Sequence, residues 1–171
     1  DSLVTNAAGC GSGINEYPAL FSGSEREGEA RRFSSRVEDV SVFLDKLDLA
    51  PLPPLKRPLR VAYQDACHLA HAQGVRQPPR RLLGLIPGVE LVPVPDEDSC
   101  CGSAGIYNIE QPEIAEQLGA RKATKVVETG ASGLVTTNIG CITQIESHLR
   151  FMNSPIPVMH VMEMLDNSYE Y

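Results

Sequence analysis

The sequence predicts an α/β protein: a mostly parallel sheet flanked by helices, with its cysteines at the carboxyl ends of strands. Two observations lead there. Short apolar runs alternate with segments whose apolar residues recur at helical spacing, as expected for a parallel sheet covered on both faces. Each cysteine position (Cys10, Cys67, the Cys100–Cys101 pair and Cys141) also comes directly after one of those runs.

The elements read in order as follows. LRVAY, Leu59 to Tyr63, is a short buried strand running into QDAC and Cys67. PPRRLLGLI, Pro78 to Ile86, opens with two prolines suited to a first helical turn and continues with a leucine-rich face. VELVPV, Val89 to Val94, is a second strand and leads into PDEDSCC. A longer helix starts near Pro112, repeats Ala115, Leu118, Ala123, Val126 and Val127 near helical period, and stops at Gly130. LVTT, Leu134 to Thr137, is a third strand ahead of NIGC. Ile142, Ile145, Leu149 and Met152 form one helical stripe, PVMH (Pro157 to His160) a fourth strand, and a final helix passes through Leu165.

The first fifty residues echo the end of this series. LVTNAAGC, Leu3 to Cys10, matches LVTTNIGC, Leu134 to Cys141, with Leu-Val-Thr and Gly-Cys at the same offsets. VSVFLD (Val40 to Asp45) then echoes VMEMLD (Val161 to Asp166) in its first, fifth and sixth residues. Residues 59–171 therefore read as one complete repeat and residues 1–50 as the closing third of an earlier one. The proline-dense segment 51–58, PLPPLKRP, reads as an extended linker between them.

Composition narrows the function. The chain has 171 residues, 42% hydrophobic and 22% charged, which is a globular balance. A net charge of −7 argues against nucleic acid as a partner, because phosphate binding calls for a basic face. No apolar run approaches the roughly 20 residues that span a bilayer. DSLVTNAAGC at the start has neither the basic region nor the apolar core of an export signal. Five cysteines without such a signal point to the cytoplasm, where thiols serve metals or redox chemistry. GCGSG, Gly9 to Gly13, lacks the spacing of a nucleotide-binding loop.

Three strand ends of the complete repeat deliver thiols to one edge, where ligands bind in open α/β sheets. Helix starts and glycine turns offer free N–H groups and partial positive charge, which favour thiolate. Thiolate-rich sites take iron–sulfur clusters, zinc or copper(I), and Cys67, Cys100, Cys101 and Cys141 meet the count for a cluster. With 32 residues between Cys67 and Cys100, and 39 between Cys101 and Cys141, the spacing does not suit a local zinc finger. The simpler alternative is that the cysteines merely fill core positions.

The spacing and strings resemble the cysteine-rich CCG domain family, which includes the cysteine-rich subunit of heterodisulfide reductase. YQDACHLAHAQGVRQPPRRLL, IPGVELVPVPDEDSCCGSAGIYN and TTNIGC resemble the iron–sulfur subunits of glycolate oxidases within it. The family's final Cys-x-x-Cys appears here as Cys141-Ile-Thr-Gln144, and the earlier copy reads Cys10-Gly-Ser-Gly13. A four-thiolate [4Fe–4S]-type cluster on Cys67, Cys100, Cys101 and Cys141 therefore suits the residues better than a five-cysteine site, with Cys10 a further cofactor-binding candidate and zinc the alternative metal. The resemblance implies an oxidoreductase subunit that is not catalytic alone. Electrons would reach it from a flavin subunit oxidising a 2-hydroxy acid such as glycolate and leave toward quinone, with the chain peripheral on the inner face of the cell membrane. It also implies a ferredoxin-like region upstream of this chain. Related lactate or glycerol-3-phosphate oxidation subunits, thiol–disulfide chemistry and a zinc-stabilised docking domain are the alternatives.

Other residues carry weaker expectations. His68 and His71 are candidate ligands or helix-start hydrogen-bonders, and Asp65 is a candidate cap. Asp96-Glu97-Asp98 reads as a solvated acidic loop, and Arg76, Arg80 and Arg81 as a solvent-facing basic group. Tyr107 and Asn108 are expected to pack over the site.

Overall fold

The computed structural model describes residues 1–170, so the last residue of the expected 59–171 unit lies outside the described residues. Two parallel sheets form. In the first, β1 (Leu3–Thr5) pairs with β2 (Val37–Asp39). The second orders β4 (Val89–Pro93), β3 (Leu59–Tyr63), β5 (Gly133–Thr136) and β6 (Val158–His160), all parallel. The expected α/β class, with a mostly parallel sheet flanked by helices, is the observed one.

Right-handed crossovers determine which face each helix covers. The chain goes from β3 to β4 on one side through α6 (Gln77–Gly84), then returns past β3 to β5 through α8 (Pro112–Glu128). These two moves run in opposite directions, so the two helices cover opposite faces. α9 (Ile139–Phe151) carries the chain onward to β6, which runs straight into α10 (Val161–Glu170). Strand side chains divide accordingly. Ala62 and Leu134 join Ala123, Val126, Ile145 and Leu149 in one core, while Val61, Tyr63 and Val135 join Leu82, Leu83, Ile86, Val161 and Leu165 in the other. The alternation has the two-residue period of a strand, and both faces are covered.

Four further helices lie in the first fifty residues: α1 (Ala8–Asn15), α2 (Tyr17–Leu20), α3 (Glu27–Ser34) and α4 (Val40–Asp45). Leu3, Val4 and Thr5 pair with Val37, Glu38 and Asp39; Leu134, Val135 and Thr136 pair with Val158, Met159 and His160. Asp39 Oδ1 accepts from the Ser41 N–H at 2.8 Å, and His160 Nδ1 accepts from the Met162 N–H at 3.1 Å. The same position thus caps the following helix in both places. The segment 51–58 is irregular, as its prolines require, but it is not a free spacer: Leu52 is buried in the second core and the Leu55 N–H donates to Pro87 O at 3.0 Å. Among the described residues, no helix is long and apolar enough to cross a membrane.

Candidate thiol centre

Between β3 and β5 the strand order reverses, which opens a crevice at their carboxyl ends. Three cysteine-bearing connections leave the sheet there. Cys67 is the first residue of α5 (Cys67–Ala70), directly after β3. Cys100 and Cys101 lie in the loop between β4 and α7 (Tyr107–Glu110), and Cys141 sits in the first turn of α9. A cavity of about 280 Å³ gathers Cys67, Cys101 and Cys141 together with Cys10 of α1, His68 and Asn138. Cys101 and Cys141 are buried, Cys67 and Cys100 half-buried, and Cys10 exposed at the rim.

The sulfur atoms interact directly. The Cys101 thiol donates to Cys141 Sγ at 3.2 Å, and the Gly102 N–H donates to Cys100 Sγ at 3.3 Å. Hydrogen bonds from Cys101 and Cys67, with help from the Gly102 N–H and His68, hold the Cys100 thiol well below the usual range. The Cys101 bond, followed by Asn138 Nδ2 at 3.6 Å, lowers Cys141 against the cost of burial. Contact with the Cys100 sulfur, with burial, pushes Cys67 up, and contact with the Cys100 and Cys141 sulfurs, with burial, does the same to Cys101. The surroundings thus lower Cys100 and Cys141 and raise Cys67 and Cys101.

The turn that presents the pair is fixed by glycine. Gly102 has φ 88°, and a Cβ there would stand 2.4 Å from the Ala115 carbonyl oxygen at the start of α8. Only glycine allows both that conformation and that approach.

Charged pairs tie the cysteine loops together, which corrects several expectations. Asp65, 2% exposed, is no cap: Arg80 grips it with Nη1–Oδ1 at 2.8 Å and Nη2–Oδ2 at 2.5 Å. Arg80 also reaches Glu97 at 3.1 Å and lies over the Tyr63 ring, 4.7 Å from its centroid. It therefore links the loop before Cys67 to the loop before Cys100 instead of facing solvent. The acidic run is held in place: Asp98 pairs with Arg76 at 2.6 Å and with His71 at 3.6 Å, and Asp96 pairs with Arg121 at 2.5 Å. Arg81 pairs with Asp45. His68 lines the cavity, but its Nδ1 is engaged by Ser12 Oγ at 2.6 Å.

Tyr107 and Asn108 do not line the thiol cavity. Asn108 instead faces a groove between α8 and α9, of about 410 Å³, shared with Gln144 and His148. Gln144, the last residue of the Cys141-Ile-Thr-Gln144 run, donates to the Ala115 carbonyl at 3.3 Å on that helix–helix seam. Sequence reasoning missed Lys122, a fully buried lysine on α8. Its signal is visible in retrospect, since Lys122 falls on the same helical stripe as Ala115, Ala123 and Val126.

Among the described residues, no three His, Cys, Asp or Glu side chains stand in the arrangement of a single bound ion. The chemistry of the donor set does fit a thiophilic cluster: four sulfurs and no carboxylate, near backbone N–H donors and a buried cation.

A doubly covered parallel sheet that gathers a Cys-Cys-Gly turn and two further cysteines at its switch point defines a cysteine-rich α/β domain. The chain belongs to the CCG cysteine-rich domain family, whose pattern matches residues 61–146. Lactate utilization protein A of Geobacillus kaustophilus is 32% identical over 169 residues, 97% of this chain and 70% of that protein. The probable glycolate oxidase iron-sulfur subunit of Bacillus subtilis is 35% identical, covering 96% of this chain but 38% of the relative. A fumarate reductase (CoM/CoB) subunit of Methanothermobacter marburgensis is 35% identical over 99% of this chain and 32% of its own length. The chain thus spans only about a third of the two longer relatives.

Proposed function

We propose that the chain is an iron–sulfur electron-transfer module of a complex oxidising a 2-hydroxy acid, glycolate or lactate. The observation that carries this reading is the meeting of Cys67, Cys100, Cys101 and Cys141 at the carboxyl ends of three adjacent parallel strands. Sulfurs far apart in sequence converge in one pocket, where Cys100 and Cys141 are held toward thiolate, the form that binds iron. The names of two relatives, the lactate utilization protein and the glycolate oxidase subunit, supply the substrate class.

A [4Fe–4S]-type cluster, when bound, supplies one-electron transfer at this site. The chain's own residues do the rest. Cys67, Cys100, Cys101 and Cys141 hold it, with Cys10 a further thiol at the rim. Asn138 and the Gly102 N–H orient two sulfurs, and Cys101 and Cys141 are buried, so hydrogen bonding and burial tune the potential. A flavin subunit donates the electrons, a quinone receives them, and the module is peripheral on the inner face of the membrane. Residues 1–50 are the closing third of an earlier repeat; the shared strand register and shared capping position support that assignment.

The test is anaerobic purification with iron and sulfide determination and electron paramagnetic resonance. Cys101→Ser and Cys141→Ser should lose the cluster signal, and Cys10→Ser should retain most of it. Unchanged spectra in the first two variants would remove the ligand assignment. The 3.2 Å Cys101–Cys141 contact favours one second reading, thiol–disulfide exchange. Disulfide reduction by metal-free protein, lost in Cys141→Ser, would select it.

A further inference from the structure

One buried charge beside the thiol centre has no part in the function proposed above. Lys122 projects from α8 and is 0% exposed. Its Nζ donates to the carbonyl oxygen of Asp96 at 3.0 Å and, more weakly, to that of Glu97 at 3.5 Å. The Asp96 carboxylate is engaged by Arg121, so both of these acceptors are backbone carbonyls. An ammonium taken out of water and offered only carbonyl dipoles is costly to keep. Such a group persists where negative charge nearby compensates it. Burial pushes the Lys122 ammonium toward its neutral form, and the Asp96 carboxylate, then the sulfurs of Cys101, Cys141 and Cys100, oppose that.

The lysine is also placed to fasten the cysteine turn. The Asp96 carbonyl that it holds receives the Ser99 N–H at 3.1 Å and the Ser99 hydroxyl at 2.9 Å. Asp96 itself is left-handed, with φ 61°. This turn ends one residue before Cys100. One side chain therefore secures the loop that leads into Cys100 and Cys101 and couples electrostatically to three of the four candidate sulfurs.

We infer that Lys122 is the resident counter-cation of the thiol centre, positioning the Cys100–Cys101 turn and raising the reduction potential of the group held there. The inference rests on the iron–sulfur reading and adds a residue to it. A cation fixed in a low-dielectric site stabilises the reduced form, which carries one more negative charge, over the oxidised form. Its removal shifts the equilibrium toward oxidation.

The experiment uses the full chain, loaded anaerobically, as wild type, Lys122→Gln and Lys122→Arg. The glutamine variant removes the charge but keeps an N–H donor; the arginine variant keeps both. Iron and sulfide content and the midpoint potential are measured, with urea unfolding of each protein. The expected result is a potential lowered in Lys122→Gln by at least tenfold in the redox equilibrium, about 59 mV for one electron, with Lys122→Arg near wild type. Loss of folding in Lys122→Gln would show a merely structural lysine and overturn the inference, whereas loss of the cluster from folded Lys122→Gln, with rescue by arginine, supports it. Glutamine and arginine variants that behave alike, both normal or both defective, would overturn the inference while the wild-type cluster leaves the parent reading intact. Wild type devoid of iron and sulfide would overturn both.

Discussion

Replacing Gly102 by alanine puts the geometry of the Cys-Cys-Gly turn to a quantitative test. Gly102 has φ 88°, and its added Cβ would stand 2.4 Å from the Ala115 carbonyl oxygen. Holding an L-residue in a left-handed conformation costs about 1–2 kcal/mol. The close approach adds an overpacking penalty of about 1–3 kcal/mol, because the atom met is helix backbone and not a pliable side-chain tip. The sum, about 2–5 kcal/mol, is a large share of the roughly 5–15 kcal/mol that holds a domain folded. At about 2–4 °C per kcal/mol for a chain of this size, the melting temperature should fall by roughly 4–20 °C. Gly105→Ala is the control, because Gly105 has φ 65° but nothing within 4 Å of an added Cβ. It should cost only the conformational part, about 1–2 kcal/mol. Urea unfolding of the two metal-free variants reads the difference. Equal losses to within about 0.5 kcal/mol would show that the Ala115 carbonyl does not confine the turn and would refute the reasoning. In loaded protein, Gly102→Ala should also retain less iron, since the displaced N–H is the one donated to Cys100.

Two more outcomes follow from the charged groups. Arg80→Met strands the buried Asp65 carboxylate, with only Arg76 at 3.7 Å in support. It should cost about 2–4 kcal/mol, below the full range for a broken buried pair because Arg80 is partly exposed. Adding Asp65→Asn should recover a good part of that in a double-mutant cycle, and additive losses would show no pairing. Asp39 is buried and its carboxyl is raised above the ordinary value, chiefly by desolvation and against the Ser41 hydrogen bonds. The folded state therefore holds this proton more tightly than the unfolded chain does. Stability is lost as pH rises from the ordinary carboxyl value through the raised one. Asp39→Asn, which caps equally well, should match wild type near about pH 4 and exceed it at neutral pH in urea titrations. A neutral-pH loss would contradict the burial argument.

How far the sequence went can be judged element by element. The strands at Leu59, Val89, Leu134 and Val158 were legible because an apolar run buried on both faces needs no partner to announce itself. The long helix from Pro112 was legible from its period and its proline start. The convergence of the cysteines was legible only as an expectation, from their shared place after strands. The charges were legible only in part. The 96–98 run is solvated as expected, but Asp65 and Arg80 looked like a cap and a solvent face, and the ion pairs of the run went unseen, because the partners lie 15 to 25 residues away, beyond any local pattern.

By itself, the order of residues determined the alternation of strand and helix, the placing of every thiol after a strand, and the glycine at 102 that the Cys-Cys turn requires. Those are properties of a chain's local geometry, and burial period and backbone freedom reveal them. Only the tertiary structure decided the order β4-β3-β5-β6, which opens the crevice between β3 and β5 and sets Cys101 against Cys141. Only it decided that Lys122 turns inward to the cysteine loop and that Gln144 packs on the helix seam. The reason is physical: desolvation and pairing depend on what is near in space, and that neighbourhood does not exist until the crossovers close around the sheet.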